Sequence, residues 1–97
     1  MDIFKTEGAT LLVNALMMME TREEYEAFLE DLLTTKEILD MSQRILVAKL
    51  ITEEKKYNKI SEETGASSAT ISRVNRSFCY GKDGYKSFFE KLDKLNK

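Results

Sequence analysis

The side chains that most often break and make bonds are scarce here. The 97-residue chain has no histidine and one cysteine, Cys79. A zinc centre, His-based acid–base catalysis and an internal disulfide framework therefore lose their usual residues. No glycine-rich loop is present to cradle a phosphate ester. The reading is a protein with no catalytic residues, no metal and no resident cofactor. What remains is the stretch GASSATISRVNRS at 65–77, small hydroxyls followed by two arginines. Such residues read and grip nucleic acid. Hydroxyls and methyls at Ser68, Ala69, Thr70 and Ser72 can meet base edges, including the thymine methyl. Arg73 and Arg76 can hold phosphates, joined by Lys55, Lys56, Asn58 and Lys59 upstream. Ser67 stands at the head of the row, where it can cap a helix.

Positioning such a row requires a sharp turn between two tightly crossed helices. Ile60 and Ser61 form an apolar-then-small pair that lets a second helix approach. Gly65 supplies the left-handed backbone of the turn. Ala66, Ala69, Ile71 and Val74 are expected to face inward, with Ser68, Thr70, Ser72, Arg73 and Arg76 available to solvent. Small residues at a close crossing would serve a helical hairpin in a core equally well. The pattern fits a helix-turn-helix and a core hairpin alike.

Charge favours the DNA reading. The net charge is −2, but the two halves differ. Residues 1–54 carry 5 basic and 12 acidic side chains, net −7, and residues 55–97 carry 10 basic and 5 acidic, net +5. A basic second half suits a polyanion. Lysines that only solubilise a C-terminal helix would give the same count.

The rest of the chain reads as helices. There is no proline, there are four glycines, and apolar residues recur at helical spacing. Helix one is expected at 8–20, where Leu11, Leu12, Val13, Ala15, Leu16, Met17, Met18 and Met19 leave almost no polar face. Such a helix must be covered on most sides, most easily between two subunits. Thr21 with Glu24 opens helix two (22–33), and Thr34 with Glu37 opens helix three (35–53), both in the capping-box pattern. Helix four spans 57–64, helix five 68–78 and helix six 84–95, the last two separated by YGKDG. No apolar run is long enough to cross a membrane. LLVNALMMM lacks the features of a signal peptide, so a soluble intracellular protein is expected.

Other features admit two explanations each. The triple methionine suits core or dimer packing, or an adaptable binding surface. Cys79 is an incidental thiol or a redox-sensitive one. Phe78, Tyr80, Tyr85, Phe88 and Phe89 pack helix six onto the body or stack on single-stranded bases.

The run LLTTKEILDMSQRILVAKLITEEKKYNKISEETGASSATISRVNRSFCYGKDGYK resembles the tryptophan-repressor superfamily, and most closely its YerC/YecD-type branch. The similarity covers about residues 8–88 and is most specific in ETGASSATISRVNRS and YGKDGYK. It implies an all-α, six-helix, Trp-repressor-like fold forming an intertwined homodimer. The single domain, 1–97, would use helices 8–53 for dimerisation, 57–78 as the helix-turn-helix and 84–95 as the C-terminal helix. It also implies a bacterial, cytoplasmic transcription regulator, acting as a repressor. The two reading heads would enter successive major grooves of double-stranded DNA, roughly 34 Å apart, on a pseudo-palindromic operator. The alternative is a helix-turn-helix scaffold that binds another regulator instead of DNA.

The resemblance further implies an effector pocket at Thr34, Arg44, Thr70, Arg73, Val74 and Ser77. Five of these match the residue types that hold L-tryptophan in the repressor. The sixth departs: Val74 stands where the repressor has glycine, so its side chain would occupy the space of the indole. L-Tryptophan as effector is disfavoured on that ground, and another small effector stays open. Each matching residue also has an ordinary role. Thr34 can cap a helix, Arg44 can pair or pack through its stem, Thr70 and Ser77 suit a recognition helix, and Arg73 suits a phosphate.

Overall fold

Local capping decides where most of the helices start. In the computed structural model, which describes residues 2–96, every regular element is helical. A short 3-10 turn over Ile3–Lys5 is followed by α1 (Glu7–Met18), α2 (Arg22–Leu32), α3 (Thr35–Thr52), α4 (Tyr57–Thr64), α5 (Ser68–Tyr80) and α6 (Gly84–Leu95). The protein is all-α, with the six helices expected. The chain falls into two units, Met1–Ile38 and Leu39–Lys97.

In the first unit, Thr6 Oγ1 accepts from the Ala9 N–H at 3.1 Å and starts α1. Thr21 Oγ1 accepts from the Glu24 N–H at 3.1 Å, while the Glu24 carboxylate accepts from the Glu20 N–H at 2.9 Å. Thr34 and Glu37 form a full reciprocal box. The Thr34 hydroxyl accepts from the Glu37 N–H at 3.1 Å, and the Glu37 carboxylate accepts from the Thr34 N–H at 2.9 Å. The Tyr25 hydroxyl donates to the Leu16 carbonyl at 3.0 Å and ties α2 to the end of α1.

Neither α1 nor α2 contains a buried residue. Leu11 is 63% exposed, Met17 77% and Met18 73%. Within the first unit this apolar helix is left without a buried face. Helix one also ends two residues earlier than expected, because Met19 turns extended at ψ 133°.

The second unit holds the core. Val47, Ala48 and Leu50 from α3, Ile60 from α4, Ala66 from the turn, Ile71 and Val74 from α5 and Phe89 from α6 are all buried. Ile51, Phe78, Tyr85 and Leu92 pack around them. The end of α3 closes with the Lys55 N–H donating to the Leu50 carbonyl at 3.2 Å, across Glu54 at φ 60°. That six-to-one bond through a left-handed residue is the usual way to stop a helix, here without the usual glycine.

Helix five runs two residues further than the sequence suggested, to Tyr80 rather than 78. The Gly81 N–H donates to the Ser77 carbonyl at 2.9 Å and continues the ladder. A Cβ at position 81 would collide with that carbonyl oxygen, so glycine is needed there for space. The left-handed residue of the YGKDG break is Asp83, at φ 63°, and neither of its glycines.

Candidate nucleic-acid interface

The turn between α4 and α5 is held by side chains as well as backbone. Gly65 caps α4 at φ 74° and its N–H donates to the Ser61 carbonyl at 2.9 Å. Ser61 Oγ donates to the Ala66 carbonyl at 2.8 Å, which gives the small residue after Ile60 a second role beyond making room. Thr64 Oγ1 donates to the Ile60 carbonyl at 2.7 Å and accepts from the Ala66 N–H at 3.1 Å. Gln43 on α3 reaches across, its amide nitrogen donating to the Thr64 carbonyl at 3.1 Å. Reasoning from sequence missed Gln43. Its signal was a polar residue spaced four and seven positions before Val47 and Leu50, on the face that α3 buries.

The same geometry separates the two faces of α5. Ile71 and Val74 are buried at 0% and 1% exposure, with Phe78 half-buried in the same row. Ser68, Ala69, Ser72, Arg73 and Arg76 are exposed. Ala69 therefore does not face inward as expected. It lies two residues before Ile71, and two residues turn a helix by about 200°, to the opposite side. Its methyl stands beside Ser68 and Ser72 on the outer edge. Arg76 continues that edge, whereas Arg73 lies on the flank with Thr70 and Ser77.

Ser67 caps α5 as expected, accepting from the Thr70 N–H at 3.1 Å. Its hydroxyl also donates to Thr70 Oγ1 at 3.1 Å, so the half-buried Thr70 is oriented by the cap. At the opening of α4, Lys55, Lys56, Asn58 and Lys59 are all exposed. Lys56 is the N-cap residue without a side-chain cap bond, and Asn58 Oδ1 accepts from the Lys59 N–H at 2.9 Å. Lys59 Nζ lies 3.9 Å from Glu62, an exposed pair that a phosphate can outcompete. Neither α4 nor α5 has an acidic residue in its first turn to offset the positive end of the helix.

The residues of the inferred effector pocket are divided between the units. Thr34 lies in the first, as the cap of α3, and its box with Glu37 holds that carboxyl below its ordinary range, through the Thr34 backbone N–H first and its hydroxyl second. The other five lie in the second unit. Arg44 and Thr70 are half-buried, Arg73 and Ser77 exposed, and Val74 is packed in the core. Among the described residues, no group of acidic or cysteine side chains is placed to hold a metal ion, and no helix is long and apolar enough to cross a membrane.

A glycine turn braced on an apolar core, with a polar and basic second helix facing out, defines a helix-turn-helix protein. Comparison with known proteins narrows the class. The profile of the family described as Trp repressor protein matches residues 7–93. YerC of Bacillus subtilis (strain 168), described as an uncharacterized protein, is 42% identical over 94 residues, which cover 95% of this chain and 90% of YerC. The crystal structure of a TrpR-like protein from Eubacterium eligens superposes with a TM-score of 0.89 at 48% identity, covering 93% of each chain. A Trp-repressor-type protein from Staphylococcus aureus gives 0.85 at 44% identity, covering 96% of this chain and 95% of its own. The chain belongs to the Trp repressor protein family, and within it is of the YerC type. That family is one of DNA-binding regulators rather than enzymes.

Proposed function

We propose that the protein is a sequence-specific transcription regulator of the bacterial cytoplasm, a repressor that binds a pseudo-palindromic operator as a homodimer. The observation that carries this reading is the outer edge of α5. Ser68, Ala69, Ser72 and Arg76 project from a helix whose opposite side is locked into the core. Short hydroxyls and a methyl discriminate bases, and Arg76 with Lys55, Lys56 and Lys59 supplies phosphate contacts.

The homodimer rests on a second observation. A 12-residue α1 without a single buried side chain, and with Leu11, Met17 and Met18 more than half exposed, is not stable in water on its own. A second copy presenting the same helices would cover it, with 8–53 supplying dimer contacts and 57–78 the reading head. Selection of bound fragments from random-sequence duplex DNA, followed by gel shifts of the enriched sites, tests the function. Enrichment of a two-fold-related motif with half-sites about one helical turn apart is the expected result. Failure to retain any duplex, together with capture of another regulator, would favour the scaffold alternative. Sedimentation at micromolar concentration tests the dimer.

A further inference from the structure

Helix five reaches Tyr80, and that extension completes a row. Ser68, Ser72, Arg76 and Tyr80 are four residues apart in sequence, so they lie above one another on one side of α5, and all four are exposed. Tyr80 is 87% exposed, the most exposed large hydrophobic residue among those described. No hydrogen bond or ring contact engages its side chain among the described residues. The Gly81 bond to the Ser77 carbonyl keeps the last turn regular, so the position of Tyr80 follows from the helix and not from a loop.

We propose that the Tyr80 phenol is a DNA-phosphate contact at the far end of the recognition helix. This rests on the DNA-binding reading above. Twelve residues separate Ser68 from Tyr80, a rise of about 18 Å along the axis. The major groove is about 8.5 Å deep, and a reading helix enters it by its N-terminal residues. A helix with Ser68 to Ser72 at the base edges therefore carries its last turn past the groove wall, where the sugar–phosphate backbone lies. Arg76 comes first along that path and Tyr80 one turn later. A phenol suits this place. Its ring lies against sugar carbons and its hydroxyl donates to a phosphate oxygen, a contact that fixes register without reading sequence.

The test compares wild type with Tyr80→Phe, Tyr80→Ala and Arg76→Ala. Binding to a fluorescein-labelled random-sequence duplex of about 30 base pairs, long enough for two half-sites, is followed by anisotropy across salt concentrations, with sedimentation on the same samples. Tyr80→Phe removes only the hydroxyl. It is expected to weaken binding about three- to tenfold at every salt concentration while the dimer stays intact. The slope of log affinity against log salt stays at the wild-type value, because a neutral phenol displaces no counterion. Arg76→Ala lowers that slope by about one. Wild-type affinity in Tyr80→Phe overturns the proposal. So does a loss of binding confined to Tyr80→Ala and accompanied by dimer dissociation, which would make Tyr80 a subunit contact. Wild-type protein that binds no duplex at all rejects the DNA-binding reading itself.

Discussion

Val74 is buried in the core on α5, where the resemblance to the tryptophan repressor implies a glycine, and shortening it tests what it does. The side chain is 1% exposed and packed in the cluster that includes Ile60, Ile71 and Val47. Val74→Ala deletes two methyl groups, about 1.6 kcal/mol of transfer free energy. Incomplete collapse around the gap adds about 1 kcal/mol, and alanine's better helix propensity returns about 0.5 kcal/mol. The expected loss is about 2 kcal/mol, and Val74→Gly should lose about 1 kcal/mol more. Against a total stability of roughly 5–15 kcal/mol the variants still fold. Urea unfolding followed by circular dichroism, at one protein concentration so that dimer dissociation contributes equally, should show a lower midpoint with an unchanged slope. On the proposed function, valine holds α5 by packing in the place where a ligand would otherwise do so. Calorimetric titration of the wild type with L-tryptophan should therefore give no binding heat at micromolar concentration. Micromolar binding accompanied by tighter DNA binding would refute the reasoning, and so would a Val74→Ala midpoint equal to wild type.

Three further outcomes follow from particular contacts. Ser72→Ala, on the exposed edge of α5, should blunt sequence preference, whereas Arg76→Ala should weaken all DNA sites about equally; binding curves on an enriched site and a scrambled duplex separate the two, and no change in either would reject the site assignment. Glu54→Gly should raise stability by about 0.5–1 kcal/mol in a urea melt, because glycine adopts the left-handed conformation that Glu54 holds at φ 60° without a Cβ penalty. The Glu37 carboxyl is held below its ordinary range by the Thr34 backbone and hydroxyl. A depressed folded-state pKa stabilises the fold above the unfolded value, and that contribution is lost as pH falls through the folded one. Thermal melts of wild type and Glu37→Gln should therefore differ at neutral pH and converge once Glu37 is protonated.

The sequence alone determined the elements and the turn, because those are local properties. Thr21, Thr34 and Ser67 accept from backbone N–H groups three residues on, so α2, α3 and α5 begin where their caps lie. Gly65 is the one place in the α4–α5 connection with a left-handed backbone, and glycine marks it in the sequence. The spacing of Ile71 and Val74 identified the buried side of α5, and the split in charge identified the half that suits a polyanion. Only the tertiary structure decided how the neighbours share those roles. Ala69 is as apolar as Ala66, yet it sits 200° from the core side of the helix and is exposed. Gln43 is a polar residue on a hydrophobic helix until α4 brings the Thr64 carbonyl within 3.1 Å of it. Tyr80 joins the outer row of α5 because Gly81 clears the Ser77 carbonyl and lets the helix continue. Such distinctions arise when residues distant in sequence meet, or when a helix end is placed to within one turn, and periodicity carries neither.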